Sequence, residues 1–370
     1  MNNNKNKQTS RRKFVKAVGA GVLSIGASSF ATSVMATKPK AKKLGVALVG
    51  LGNYSTNQLA PALLESKNAY LAGIVTGTPS KEKLWADKYD IARAHIYNYQ
   101  NFDKIISDKS IDVVYVVLPN SMHKEFVIRA AKAGKHVITE KPMGMNAAEC
   151  KEMINACDKA GVKLSVGYRL QFEPNTLLIE QAGQSLPLGP INHVRSDFSF
   201  TIGNPKQWRL KKELAGGGPI MDIGIYCIQA ARYATGLEPI AVRAVEYKTD
   251  PIKFNSVEET VMWQMEFPGG LISNHTTSYN MKANELFVSY QKGKARLEPA
   301  YSYANVGGIL GKQRLLPHEV NQQALQIDDF IACIRDNKIS KVSGAEGLQD
   351  MKIVDAMYKS MALDGKRVVV

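Results

Sequence analysis

From Leu44 onward, apolar residues come in short unbroken runs separated by helical spacing, and beyond about residue 162 the pattern changes to strict alternation. Leu44 to Val49, Tyr70 to Thr76, Val113 to Leu118 and His136 to Thr139 are runs of the first kind, as expected of strands buried on both faces. Between and after them, Gln58 to Leu64, Lys81 to Tyr89, Asn101 to Ser107, Lys124 to Ala133 and Ala147 to Ala160 place apolar residues three and four apart. Strand and helix in alternation predict an α/β unit with a parallel sheet. Downstream, Lys163 to Gly167, Ile191 to Phe200, Ile240 to Tyr247, Glu258 to Phe267, Leu271 to Tyr279 and Leu286 to Gln291 mostly follow a period of two. They predict a mainly antiparallel, open sheet, with a helix starting near Pro219 beside it. Helices over about Asn321 to Asp336 and Ala345 to Asp364 close the chain. The expected division is 44–161 for the α/β domain and 162–320 for an α+β domain, with helices of 321–370 packing across the junction.

Composition changes this picture mainly at the N-terminus. Ser10-Arg11-Arg12-Lys13-Phe14-Val15-Lys16 precedes an uncharged run of small and apolar residues from Ala17 to Met35 that closes on Val34-Met35-Ala36. A charged region, an apolar region and a small-residue cleavage site in that order predict a removable signal peptide over residues 1–36, followed by a short arm, 37–43. The paired arginines with Phe14 resemble a twin-arginine (Tat) signal, which implies periplasmic export of a folded protein. A plain secretory signal and an anchored helix are the competing readings. Six of the 48 basic residues and none of the 33 acidic ones lie in that segment, so the net charge falls from +15 to +9 without it. Lys38, Lys40, Lys42 and Lys43 concentrate part of the remainder in the arm. No basic stripe with interleaved aromatics occurs, which argues against nucleic acid, and no later segment is long enough to span a membrane. Cys150, Cys157, Cys227 and Cys333 lack metal-ligand spacing and read as small core residues, with no metal expected.

The candidate chemistry lies at the ends of these elements. The first strand runs into Gly50-Leu51-Gly52-Asn53-Tyr54-Ser55, and strand, glycine turn and helix form the opening unit of a dinucleotide-binding fold. Gly50, Gly52, Asn53 and Tyr54 are candidate cofactor contacts, and Ser55 stands where a third glycine would serve close packing. The second strand ends in Thr76-Gly77-Thr78-Pro79-Ser80-Lys81, without the carboxylate that a ribose 2′-hydroxyl engages. Thr76, Gly77 and Lys81 suit a 2′-phosphate, hence NADP; the alternative is a polar turn with a solvated lysine. Pro119-Asn120-Ser121-Met122-His123 and Glu140-Lys141-Pro142 follow two further strands at the carboxyl edge, where ligands bind in such sheets. Pro119, Asn120, His123, Glu140 and Lys141 are therefore cofactor candidates, with a structural loop histidine an equal reading for His123. In Gly216-Gly217-Gly218-Pro219-Ile220-Met221-Asp222-Ile223-Gly224-Ile225-Tyr226, the glycines predict a flexible approach to a helix starting at Pro219. Asp222 and Tyr226, four apart, then share one face: either a proton-handling pair, or a first-turn carboxylate and a half-buried aromatic.

Gly50-x-Gly52, Pro119-Asn120-Ser121-x-His123, Glu140-Lys141-Pro142 and Asp222-x-x-x-Tyr226 together resemble the superfamily of glucose-fructose oxidoreductase and inositol dehydrogenase. Trp208-Arg209-Leu210, Glu213 to Gly218, Arg232-Tyr233 and Glu238-Pro239-Ile240 carry the likeness further, so that it spans nearly the whole chain from Leu44. The resemblance implies a Rossmann domain holding NADP, a sheet domain that covers the nicotinamide, and a homo-oligomer formed through the open sheet. It makes Lys141, Asp222 and Tyr226 the catalytic residues, Tyr226 as acid/base with Lys141 supplying the charge that a phenolate needs. Tyr168, Arg169, Trp208 and Arg209 would line a sugar pocket, with packing roles equally open. The implied activity is oxidation of an aldose to its lactone on bound NADP, followed by reduction of a ketose or aldose to an alditol. A sugar dehydrogenase or reductase that releases NADP(H), and a dinucleotide-dependent glycosidase, are the alternatives. The arm of 37–43 is shorter than the proline-rich arm that encloses cofactor in the glucose-fructose oxidoreductase branch.

Overall fold

A computed structural model describes residues 42–370; the expected signal peptide and nearly all of the 37–43 arm lie outside the described residues. Six strands form a wholly parallel sheet: β1 (Leu44–Val49), β2 (Ala69–Val75), β3 (Ile96–Tyr97), β4 (Val113–Val116), β5 (His136–Thr139) and β6 (Leu164–Val166), in the order 3-2-1-4-5-6. This is the Rossmann order, with its switch point between β1 and β4. The unbroken apolar runs have a direct cause. Val46, Leu48, Val113, Tyr115 and Ile138 pack on one side with helix α1 (Ala60–Glu65), while Ala47, Val49, Val114, Val116 and Val137 pack on the other. Helices α2 (Pro79–Tyr89), α3 (His123–Lys132) and α4 (Ala147–Ala160) complete the alternation; the segment Phe102–Ser107 is a 3-10 helix.

The strand expected over Lys163 to Gly167 belongs to this parallel sheet as β6, paired with β5, and not to the antiparallel one. At three residues it is too short for its alternation to reveal its partner. Helix α5 (Pro174–Ser185), unforeseen, follows it, with the Glu173 carboxylate accepting from the N–H groups of Asn175 and Thr176 at its start.

The second sheet has nine strands. In chain order they are β7 (Ile191–Ser199), β8 (Ala241–Tyr247), β9 (Thr260–Glu266), β10 (Ile272–Ser278), β11 (Ala283–Tyr290), β12 (Gly293–Leu297), β13 (Gly308–Leu310), β14 (Gln313–Leu315) and β15 (Val368–Val369). Every pairing is antiparallel except β10 with β7. One face is buried: Val261, Trp263 and Met265 of β9 point to the core, while Met262 and Gln264 between them are exposed. Helix α6 (Ile225–Thr235) lies against the buried face. The closing helices are α7 (Gln322–Arg335) and α8 (Gly344–Met361). Ile327, Phe330 and Ile331 of α7 join the core beneath β1, whereas α8 contacts both β8 and α4.

Helix α6 is fixed from two sides. Arg232, almost wholly buried, pairs with Glu238 through Nε at 2.7 Å and with Asp350 and Glu346 of α8. On the opposite flank, Gly183 of α5 sits so close that a Cβ there would stand 1.6 Å from the Ala234 carbonyl oxygen. Because that neighbour is helical backbone, it has nowhere to retreat. Gly183→Ala should cost about 1–3 kcal/mol by forcing the helices apart, read as a lowered urea midpoint at unchanged slope; an unaltered midpoint would refute the close-approach argument.

Candidate active site

The carboxyl ends of β1, β4 and β5 open into a crevice faced by the start of α6. At the first turn, Gly50 has φ +93° and its Cβ position lies 2.5 Å from the Val117 carbonyl oxygen, so only glycine fits. Gly52 is different: it is exposed and no protein atom lies within 4 Å of where its Cβ would stand. That open ground beside a helix start is a cradle for the pyrophosphate of a dinucleotide. Ser55 replaces the third glycine of the pattern with a function of its own, donating to the Gly50 carbonyl at 2.6 Å. Lys81 reaches back from α2 to the Leu51 carbonyl at 2.7 Å, and Thr76 Oγ1 accepts from the Thr78 N–H, which places Thr76, Gly77 and Lys81 together beside the turn. The residues present therefore fit a bound dinucleotide, with Gly52, Asn53 and Tyr54 along its path.

Three cofactor candidates are engaged by protein groups. His123 is fully buried, and both ring nitrogens lie 2.9 Å from backbone carbonyls, those of Pro142 and Leu118. Burial lowers its proton affinity, so the neutral ring donates to one of them and braces the Pro119 loop against the Lys141 loop. It is the structural histidine of the two readings. Asn120 donates through Nδ2 to the Ala215 carbonyl at 2.7 Å, linking the β4 loop to the glycine run before Pro219. Glu140, also buried, accepts from the Tyr115 hydroxyl at 2.7 Å; burial raises its proton affinity against the opposing pull of Tyr115 and Lys141. Gly167 makes room for that carboxyl, since a Cβ there would lie 2.5 Å from Oε1.

Lys141 sits at the end of β5, before a cis bond to Pro142, and crosses to the other half of the site. Its Nζ donates to the Asp222 carbonyl oxygen at 2.6 Å and to Asp222 Oδ1 at 3.2 Å, and lies 5.1 Å from the centroid of the Tyr226 ring. Asp222 Oδ2 accepts from Arg209 Nε at 3.0 Å and from the Tyr279 hydroxyl at 3.1 Å. Burial pushes the Asp222 carboxyl up, but the charges of Arg209 and Lys141 outweigh it and hold it at about 2. Burial likewise works against the Lys141 ammonium, and Asp222 more than restores it. Trp208 lies beneath the Arg209 guanidinium, 4.7 Å from its ring centroid, at the same rim.

The backbone here departs from the expected helix. Pro219 caps a π-helical turn, Ile220–Gly224, that runs directly into α6. Such a turn holds residues four apart on one side, and Asp222 and Tyr226 do meet Lys141 together. The preceding glycines are packed, contrary to the expectation of a flexible approach. Gly216 has φ +80°, and Cβ atoms at Gly217 and Gly218 would fall 1.7 Å from the Tyr358 hydroxyl and 2.4 Å from the Glu258 carbonyl oxygen. Glu258 Oε1 accepts from the Ile220 N–H and the Tyr358 hydroxyl, closing the start of the π-helical turn.

Of the four pocket candidates, Arg169, Trp208 and Arg209 surround the Asp222–Tyr226 face. Tyr168 does not: it is buried on the far side, its hydroxyl directed at Asp350 in the Arg232 network. Adjacent residues in a turn point to opposite sides, and sequence alone did not say which one faced the crevice. Several site residues escaped notice altogether. Tyr279 touches Asp222, Tyr303 lies 4.3 Å from the Arg169 guanidinium carbon and 6.0 Å from the Tyr54 ring, and three buried glutamines of α7 support the site from behind. Gln322 holds Arg169 and the carbonyls of Ser302 and Tyr303, Gln323 reaches Tyr54, and Gln326 donates to Tyr115. Their only trace in the sequence was polarity on the helix face that apolar Ile327 and Ile331 assign to the core. Among the described residues the four cysteines are free and buried, and no helix is long and apolar enough to cross a membrane.

A Rossmann domain with a dinucleotide cradle, facing a carboxylate, an ammonium and a phenol, defines a dinucleotide-dependent oxidoreductase. The chain belongs to the GFO/IDH/MocA oxidoreductase family: residues 44–168 match its NAD-binding Rossmann fold and residues 178–296 its C-terminal domain. Among solved structures, it is similar to the aldose-aldose oxidoreductase from Caulobacter crescentus complexed with glycerol, at 42% identity and a TM-score of 0.85, covering 89% of this chain and 100% of that one. Among curated proteins it is similar to the D-xylose 1-dehydrogenase [NADP(+)] of Haloarcula marismortui, 26% identical over 85% of this chain and 90% of that protein. A levoglucosan dehydrogenase in complex with NADH and L-sorbose, 22% identical with a TM-score of 0.78 over 89% of this chain and 99% of that one, shares the fold.

Asp222 also sets a test of the site's electrostatics. Its folded-state value of about 2 lies below the ordinary 3.8, so its stabilising contribution is complete above pH 4 and is lost as pH falls through about 2. Relative to Asp222→Asn, the parent should be more stable by about 2 kcal/mol near neutrality, with the gap closing below pH 4. Urea titrations at pH 7, 4 and 2.5 measure it, and a gap that persists unchanged at pH 2.5 contradicts the ion-pair assignment.

Proposed function

We propose that this chain is a periplasmic sugar oxidoreductase that oxidises an aldose to its lactone on bound NADP and then reduces a second sugar to an alditol. The observation that carries this reading is Lys141, whose ammonium touches Asp222 and lies against the Tyr226 ring in the same crevice as the glycine cradle. The 42% identity to an aldose-aldose oxidoreductase supports the sugar class and favours a second aldose as acceptor. NADP is supported by Lys81 and Thr76 at the glycine turn and by the NADP(+)-dependent xylose dehydrogenase relative. Export rests on the Arg11-Arg12 segment, and an oligomer on the open face of the second sheet, where Arg195, Arg243 and exposed Met262 lie.

When bound, the dinucleotide supplies the hydride acceptor. The chain supplies proton transfer and placement. A carboxylate held at about 2 stays ionised at neutral pH and is a weak base, and Asp222 is already engaged by Arg209, Tyr279 and Lys141, so its role is to orient substrate hydroxyls and Lys141. Tyr226 is left as the group that receives the proton of the sugar hydroxyl as the C–H bond breaks, and it returns that proton to the carbonyl oxygen in the reductive half. Lys141 donates to the reacting oxygen and lends it positive charge.

The purified protein should arrive with nucleotide, show reduced-nicotinamide absorbance on addition of one aldose alone, and lose that absorbance when the acceptor sugar follows. Protein that arrives empty and turns over only with added, freely exchanging NADP would sink the two-step scheme in favour of a releasing dehydrogenase. Tyr226→Phe should lower the rate of cofactor reduction by roughly 10²–10⁴-fold with nucleotide still bound. Near-parent rates would remove Tyr226 from the chemistry. Lys81→Ala should weaken NADP but not NAD, by about tenfold or more if one charge-assisted contact is lost, and equal losses for both would withdraw the 2′-phosphate assignment.

A further inference from the structure

Arg169 is a charge without an ordinary partner. It is only 2% exposed and sits in the turn that follows β6. Its Nη1 donates to the Ser302 carbonyl and Gln322 Oε1, its Nη2 donates to the Tyr301 carbonyl, and buried Nε has no well-formed hydrogen bond. Every acceptor is neutral, and among the described residues the guanidinium forms no ion pair. Burying a cation in this way is costly unless some negative charge repays the lost hydration. What faces it is aromatic: its carbon lies 4.3 Å from the Tyr303 ring centroid and 5.2 Å from that of Tyr226, within reach of the Tyr226 side chain.

The groups around Tyr226 show which charge is missing. Lys141 approaches from the end of β5 and Asp222 from the π-helical turn, with Arg209 behind it; Glu140 and Tyr54 stand on the Rossmann side, and Tyr301 and Tyr303 on the segment after β12. Lys141 and Arg209 share the one carboxylate of Asp222, while Glu140 is engaged by Tyr115 and the Lys141 N–H. Three cations thus meet two carboxylates, leaving one positive charge in excess around Tyr226, and Arg169 is the cation of the three that forms no ion pair among the described residues.

We propose that Arg169 is the positioning residue that compensates the charge on Tyr226, holding its oxygen ready to give and take the substrate proton, while Lys141 is chiefly engaged by Asp222. The inference rests on Tyr226 as acid/base. When the reacting sugar hydroxyl loses its proton, the O–H bond on the sugar breaks and one forms on the Tyr226 oxygen; in the reductive half the reverse transfer leaves negative charge on Tyr226, beside Arg169. Gln322, from α7, keeps the guanidinium there without neutralising it.

That neutrality supplies the test. Gln322→Glu is nearly isosteric and keeps an acceptor for Arg169, but gives up the two bonds that Nε2 donates to the Ser302 and Tyr303 carbonyls. Gln322→Met gives up the same bonds without adding charge, so a purely bracing role predicts the same profile for both. Charge compensation predicts that the two differ. In Gln322→Glu, relative to Gln322→Met, the acid limb of the pH–rate profile for cofactor reduction should move upward by about one pH unit, with about tenfold less activity near neutrality and unchanged nucleotide content. Arg169→Lys should keep the limb in place at reduced kcat, and Arg169→Met should move it as Gln322→Glu does. If Gln322→Glu is folded and its limb is unmoved relative to Gln322→Met, or if it does not fold and Arg169→Met leaves the limb unmoved, the proposal is overturned. Should Tyr226→Phe itself retain near-parent rates, the acid/base reading fails first, and the two failures are thereby distinguished.

Discussion

One ammonium group joins the two halves of this protein where its chemistry falls. Lys141 is carried by β5 of the parallel sheet, yet its Nζ is held by the carbonyl and carboxylate of Asp222 in the second domain, at 2.6 and 3.2 Å. Neither charge is stable there alone, because burial opposes both; Asp222 restores Lys141, and Arg209 together with Lys141 restores Asp222. The surrounding structure is arranged to keep that contact in register. His123 braces the Lys141 loop, Asn120 ties the neighbouring loop to the turn before Pro219, and Glu258 closes the first turn of the π-helical segment that presents Asp222. The glycines of that segment are the consequence of close packing around this contact, not a source of mobility.

Much of this was legible because chemistry-bearing residues stood at element ends. Glycines after β1 and the Lys141-Pro142 pair after β5 could be placed on the carboxyl edge from hydrophobic periodicity alone, and Lys141, Asp222 and Tyr226 do converge there. Their roles came from the resemblance, since spacing left Asp222 and Tyr226 open to a packing role. What stayed hidden depended on direction rather than identity. Tyr168 and Arg169 are neighbours in one turn, and only the fold shows that the first enters the Arg232 network and the second the crevice. β6, with three residues, gave no alternation from which its parallel pairing could be read, and β13 and β14 are equally short. The glutamines of α7 went unread because a buried polar side chain declares itself only through its partners.

Those glutamines show how a helix outside the catalytic crevice can set its geometry. Gln322 supports the substrate side through Arg169 and the Ser302 and Tyr303 carbonyls, Gln323 supports the glycine-turn side through Tyr54, and Gln326 supports Glu140 through Tyr115. Because α7 also fills the core under β1, the cofactor cradle and the pocket wall are referenced to one rigid element. An amide suits the task better than a charge. It satisfies buried donors and acceptors while adding no net field, and so leaves the balance among Lys141, Arg169, Arg209, Asp222 and Glu140 to act on Tyr226.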